Sequence, residues 1–379
     1  MKTSGDTILA LDLGTSSIKA LFARVVKSRK TPASLELLSL AQADLPAGAI
    51  SAGAISDLPA VTDACERAIK SLEDMTSLRA DQVVFGLSGE MLKMLTTSIH
   101  YRRAAPDAPF SETEMEKILT KVQSTTRERA TSDLSFETEN PLAEVSLISS
   151  CLLSLTIDGE RINNPIGFSG TDLDLEFYTV FAPRLQVSAL EKIVADLELT
   201  LLAISANPFA ASRALLGASE SSPTASILLD LGAATTSLAL LDTSGLRATS
   251  SFALGASVAS SDPSVWLAGV NVALSTFTDL DLLPSRLLLF GGGSALDSVQ
   301  ESLALEDWFS GLPFARRPIV SVLDPLSLPD FSCAATFDQS LLSPTFVNAL
   351  GLLRVALDVE AGSAPSRPLL GNLKKLLQK

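Results

Sequence analysis

Two acidic residues each precede a bend of small and hydroxyl residues: Asp12 before Gly14-Thr15-Ser16-Ser17, and Asp230 before Gly232-Ala233-Ala234-Thr235-Thr236. Such bends let backbone N–H groups approach phosphate oxygens, because few Cβ atoms obstruct them. The hydroxyls of Thr15, Ser16, Ser17, Thr235 and Thr236 add donors. Lys19 follows the first bend and would offset phosphate charge. Asp12 and Asp230 would hold Mg²⁺ through water, since that ion keeps much of its hydration shell and takes one or two carboxylates. A third piece is Gly291-Gly292-Gly293-Ser294, a turn whose backbone would pack flat against an adenosine. The three pieces together suit a nucleotide. No residue stands out as a base for hydrolysis, which needs a positioned activator of water. The carboxylates are therefore assigned to Mg²⁺ rather than to proton transfer.

The elements around these residues repeat. Residues 8–13 and 18–23 read as a β-hairpin around the first bend, and residues 227–232 and 237–241 as a second hairpin around the other. The two aspartates stand 218 positions apart, so the repeat is of domain size and implies two similar halves with a cleft between them. The Gly-rich turn sits between a strand over 286–290 and a helix. Helices are expected over 57–75, 208–216, 263–278 and 346–357 from apolar residues at helical spacing. Ser111 with Glu114, and Ser188 with Glu191, read as capping boxes that open two more. Strands are expected at 82–87, 145–157, 173–181 and 200–205. Residues 96–110 and 124–141 read as loops, with His100 in the first. Trp266 and Trp308 read as packing residues.

Composition narrows the function. The chain has 379 residues, 29 Lys+Arg against 43 Asp+Glu, and a formal net charge of −14, which argues against nucleic acid as a partner. An apolar fraction of 46% supports a packed core. Three cysteines without a CxxC pair give neither a disulfide scaffold nor a zinc signature. A single histidine, His100, excludes triads and metal sites that need several. The first residues lack a signal-peptide pattern and no apolar run reaches bilayer length, so a cytosolic chain is expected.

In their order and spacing these motifs resemble those of the actin/Hsp70/sugar-kinase superfamily. Within it the chain is most similar to the FtsA family of bacterial cell-division proteins. Residues 84–90 resemble that family's entry into its inserted subdomain 1C. Residues 158–170, containing Asp158-Gly159 and Asn163-Asn164-Pro165-Ile166-Gly167, resemble a characteristic segment within it. The resemblance implies an α/β, actin-like ATPase fold of two related, ribonuclease H-like halves. It divides the chain into 1–84 (subdomain 1A), 85–182 (1C), 183–218 (1A continued), 219–360 (2A and the return to 1A), a linker over 361–368 and a helix over 369–379. It implies ATP and Mg²⁺ as ligands, with at most weak ATPase activity. It also implies self-association into filaments, FtsZ or other divisome proteins as partners, and a place on the cytoplasmic face of the membrane at the division site. One departure stands out. Gly291 follows Thr236 by only 55 positions, an interval in which the family places a further subdomain, 2B. There is room for a strand pair and one helix, so 2B is expected to be absent or vestigial. In the family, 2B closes the cleft and binds the FtsZ peptide.

The last residues carry their own signal. Leu369, Leu370, Leu373, Leu376 and Leu377 fall on one helical face, while Lys374, Lys375 and Lys379 take the rest. With Arg367, residues 361–379 hold four cations and no acid. Such a segment suits the surface of an anionic bilayer. Two other readings compete: a pilus or secretion scaffold similar to PilM, and a sugar kinase, which the missing base disfavours.

Overall fold

The computed structural model describes residues 2–3, 7–27, 32–162, 164–217, 224–243, 245–277, 281–305 and 307–360. Its principal elements follow in chain order. The first stretch holds β1 (Thr7–Leu13), β2 (Ser17–Val26), β3 (Ser34–Asp44), α1 (Leu58–Thr76) and β4 (Gln82–Leu87). Then come β5 (Lys93–Arg102), α2 (Glu112–Glu137), β6 (Val145–Ile157), β7 (Asp172–Pro183), α3 (Arg184–Asp196), β8 (Thr200–Ala206) and α4 (Asn207–Leu216). The remainder holds β9 (Ser226–Leu231), β10 (Thr236–Asp242), β11 (Gly245–Phe252), α5 (Ala256–Ser261), α6 (Pro263–Ser275), β12 (Arg286–Phe290), α7 (Asp297–Leu305), β13 (Ile319–Val322), β14 (Phe331–Cys333) and α8 (Val347–Glu360). Two units result. One joins Met1–Met91 to Ser188–Leu357, and the other holds Leu92–Val187 with the end of α8 from Asp358.

The first unit contains one strand plan twice. In one sheet, β1, β2 and β3 run antiparallel, and β4 then β8 add in parallel beside β1, giving the order β8-β4-β1-β2-β3-β14. In the other, β9, β10 and β11 run antiparallel, and β12 then β13 add in parallel beside β9, giving β11-β10-β9-β12-β13. Strands flanked by parallel neighbours are buried on both faces and read as continuous apolar runs. Accordingly every residue of β1 and β9 is buried. Helix α1 packs its stripe of Val61, Ala64, Cys65, Ala68, Ile69 and Leu72 on β2 and β3. Asp57 caps its start by accepting from Ala60 N, and left-handed Ser77 ends it. Helix α4 touches both sheets. It meets α8 closely: a Cβ at Gly351 would fall 2.2 Å from the Ala210 carbonyl oxygen, so only glycine allows this approach. Between Thr236 and Gly291 the described residues form β10, β11, α5 and α6, one helix more than expected. Trp266 and Trp308 both join the core under the second sheet.

The second unit is a sheet in which β6 and β7 pair antiparallel, β5 adds beside β7, and Glu160–Arg161 borders β6. Helix α2 covers one face, with Met115, Ile118, Leu119 and Val122 packed on Leu155, Leu173, Leu175 and Phe177. Three expectations fail here. Residues 96–110 are not all loop: Lys93 to Arg102 form β5, with His100 on the strand. This is an edge strand with Ile99 and Tyr101 turned to the core and polar residues between them, so its alternation is easily missed. Residues 124–141 are helix as far as Glu137, because the buried stripe continues through Thr126, Ala130 and Leu134. Thr126 is tolerated there since its hydroxyl donates to the Val122 carbonyl at 2.8 Å. Ser111 does cap α2, accepting from Glu114 N at 3.2 Å. Ser188 does not open α3, which begins at Arg184 directly after β7, where Arg184 N is bound by the Glu144 carbonyl. The linker and tail over 361–379, with Leu369, Leu370, Leu373, Lys374, Lys375, Leu376, Leu377 and Lys379, lie outside the described residues.

Candidate functional site

The repeated strand plan brings the two aspartates to equivalent places, each on the first strand of its sheet. Asp12 is 2% exposed and Asp230 is 7% exposed. One cleft in the first unit is lined by both, together with Gly14, Thr15, Ser16 and Lys19 from the first bend and Gly232, Ala233 and Thr235 from the second. Gly291 and Gly292 border it from the Gly-rich turn. Lys19 stands opposite Asp12 in the β1–β2 register, so one ammonium serves both carboxylates. Gly291 has φ +87°, and a Cβ there would fall 2.3 Å from Asp230 Oδ1, so glycine is required on both counts.

Four cleft residues are not among those expected from the sequence: Ser88, Asn207, Thr345 and Asn348. The two asparagines form matched braces. Asn207, the first residue of α4, donates from Nδ2 to Asp12 Oδ1 at 2.8 Å. Asn348, the second residue of α8, donates from Nδ2 to Asp230 Oδ2 at 2.8 Å. Their carbonyl oxygens are buried without a hydrogen-bond partner. Buried acceptors of this kind normally meet a donor, supplied by water or by a ligand with its hydration shell.

Other residues assigned to phosphate or adenosine do different work. Thr236 is fully buried: its hydroxyl donates to the Leu254 carbonyl at 2.5 Å and accepts from Trp266 Nε1 at 2.9 Å. Ser17 is buried at the start of β2. Gly293 packs against Leu231 and Ala256, and the Ser294 hydroxyl braces its own turn by donating to the Gly291 carbonyl at 2.7 Å. Neither Gly293 nor Ser294 lines the cleft.

The electrostatics follow from burial. Desolvation raises Asp230 to about 7, against the hydrogen bond from Asn348; Asp12 adds to the rise and Lys19 opposes it. Asp12 is raised for the same first reason, with Lys19, Asn207 and Asn348 opposing. Two carboxylates thus share one cation in a dry place, a setting that favours a bound divalent ion.

A further contact joins the two halves of the first unit. Ala253 N donates to Glu90 Oε1 at 2.7 Å. Glu90 follows Ser88 in the chain, and Ala253 leads into α5, which hangs on the second bend through Ala256 N to Gly232 O and Ser257 N to Ala233 O. Glu90 therefore ties the loop after β4 to the segment that carries the second bend.

No known family profile matches the chain. Three curated sequence relatives do. The cell division protein FtsA of Neisseria meningitidis serogroup B is 23% identical over 259 residues, covering 67% of this chain and 56% of the relative. FtsA of Helicobacter pylori is 25% identical over 226 residues, covering 57% and 44%. FtsA of Pseudomonas aeruginosa is 22% identical over 247 residues, covering 65% and 54%. The chain spans about half the length of these relatives. Among solved structures, one titled as the PilM-PilN type IV pilus biogenesis complex superposes with TM-score 0.64 at 20% identity, covering 93% of this chain and 98% of that one. The chain is FtsA-like and has the actin-like fold. In this FtsA-like chain the two repeated sheets of the first unit are the two halves of that fold, and the cleft lies between their bends.

Proposed function

We propose that this protein is an actin-like cell-division adaptor. It binds ATP with Mg²⁺ as a conformational ligand, self-associates, and links the division machinery to the cytoplasmic face of the membrane at the division site. The observation that carries the reading is the duplicated aspartate bend around one cleft, in a chain whose three curated relatives are all FtsA. The cleft fits the ligand: two buried carboxylates, one lysine, small-residue bends and two buried amide oxygens in want of donors. Asp12 and Asp230 would hold the hydrated cation, which would neutralise phosphate charge. Gly14, Thr15, Ser16, Gly232, Ala233 and Thr235 would donate to phosphate, and Gly291 with Gly292 would lie along the adenosine. Lys19, which acts electrostatically on both carboxylates, would also offset phosphate charge. Residues 369–379 would lie on anionic lipid. The second unit corresponds to subdomain 1C in this reading. The short interval between Thr236 and Gly291 corresponds to a 2B that is absent or vestigial, so a partner of the FtsZ kind would dock elsewhere.

A second reading has a specific support. The pilus-complex structure matches this chain over nearly its whole length, whereas the FtsA relatives match over about half of theirs. Depletion of the protein in cells, with a fluorescent fusion as reporter, separates the two. A band at the division site and cells that elongate without septa support the adaptor. Normal septation with loss of pili or of secretion supports the scaffold and overturns the adaptor.

A further inference from the structure

The three most exposed large apolar side chains described in the second unit are Phe136 at 86%, Leu142 at 84% and Leu185 at 76%. They gather at one end of it. Helix α2 ends at Glu137, and the chain folds back through bonds from Thr138 N to Leu134 O, Glu139 N to Phe136 O, Asn140 N to Ser135 O and Ala143 N to Asn140 O. The Asn140 side chain accepts from Leu142 N at 3.0 Å and fixes the same turn. Arg184 N donates to the Glu144 carbonyl, which brings Leu185 alongside the end of that turn. Isolated exposed leucines need no account, but gathered ones on a hydrogen-bonded backbone mark a contact surface.

Charge and chain length indicate the occupant. Glu139 and Glu144 stand on either side of Leu142, both exposed, and neither is in an ion pair among the described residues. Glu137 is paired with Lys93, and Arg184 is the cation next to Leu185. The fitting ligand is apolar with added positive charge. Residues 361–379 carry five leucines, four cations and no acid. The described chain ends at Glu360, and α8 from Asp358 onward groups with this same unit. The residues over 361–368 reach at most about 28 Å when extended, close to the width of a domain of this size, with a radius of gyration of ~13 Å.

We propose that residues 369–379 dock in cis on the second unit, with their leucines on Phe136, Leu142 and Leu185 and their lysines facing Glu139 and Glu144. The docked tail and a bilayer then compete for the same leucines, so the patch regulates membrane attachment. This rests on the reading of residues 369–379 as an amphipathic segment. Apparent affinity for lipid scales with the fraction of tails that are free, so a tail docked nine-tenths of the time binds about tenfold more weakly than a released one.

Two measurements on the full chain test this. The first compares the native protein with a Phe136→Asp, Leu142→Asp variant on vesicles containing phosphatidylglycerol. Both positions are exposed, so the fold is kept, which a thermal melt verifies. Several-fold tighter binding by the variant is expected. Equal or weaker binding overturns the proposal. The second oxidises a Leu142→Cys, Leu373→Cys variant and maps the bridges by mass spectrometry. A bridge within one chain supports docking in cis. A bridge only between chains, or none, overturns it. A chain ending at Glu360 keeps the two readings apart. If it binds vesicles as well as the full chain does, the membrane reading falls, and the intrachain bridge alone decides docking.

Discussion

Replacing Asp230 with asparagine isolates the cost of burying its charge. The substitution keeps the shape, and an amide oxygen in place of Oδ2 still accepts from Asn348 Nδ2, the 2.8 Å bond of the native protein. What disappears is a carboxylate raised from 3.8 to about 7 by burial. The folded protein therefore holds a proton that the unfolded chain releases between those two values. Asp230's own contribution to the stability of the ligand-free native protein falls as pH rises through that window and levels off above about 7. The rise corresponds to about 4 kcal/mol. The variant lacks this dependence, so its advantage over the native protein is small near pH 4.5 and grows to a few kcal/mol by pH 8. Urea unfolding without nucleotide or Mg²⁺, followed at both pH values, reads the difference directly. A variant whose advantage stays flat with pH, or one less stable than the native protein at pH 8, refutes the reasoning.

Other outcomes follow from the same geometry. Asn207→Ala removes the 2.8 Å donor to buried Asp12, and should cost about 1–3 kcal/mol at pH 8. The loss should shrink at acidic pH, where a protonated Asp12 needs the donor less; urea titrations at two pH values check it. Gly291→Ala places a Cβ 2.3 Å from Asp230 Oδ1 at φ +87°, and should cost about 1–3 kcal/mol, read as a lower melting temperature. Glu90→Ala removes the acceptor of the Ala253 amide. Hydrogen exchange at Ala253 should quicken about fivefold, for a bond of ~1 kcal/mol, while exchange in β1 and β9 stays unchanged.

The two bends were legible because each packs its chemistry into a run of six or seven residues, and because the runs echo one another. The flanking strands are legible because burial on both faces writes them as nearly continuous apolar runs, interrupted in β1 and β9 by the aspartates themselves. The asparagine braces were not, since a single Asn at a helix start has no local pattern. A longer-range one existed: Asn207, Ala210 and Arg213 recur at the same spacing as Asn348, Gly351 and Arg354. The residue type of Thr236 suits a phosphate donor, but consecutive residues at a strand start face opposite ways. Thr235 therefore lines the cleft, while Thr236 is turned to Trp266. The full length of α2 was hidden because Thr126 and Ala130 continue its buried stripe without a large apolar side chain.

The central claim is that the two aspartate bends form one Mg²⁺-dependent nucleotide site. Calorimetric titration of the full chain with ATP, with and without Mg²⁺, tests it most directly. The native protein is compared with an Asp12→Asn, Asp230→Asn variant. One saturable site that needs Mg²⁺ and is lost in a variant that still melts cooperatively is the expected result. No binding by the native protein up to millimolar ATP, or equal binding by both proteins, contradicts the account.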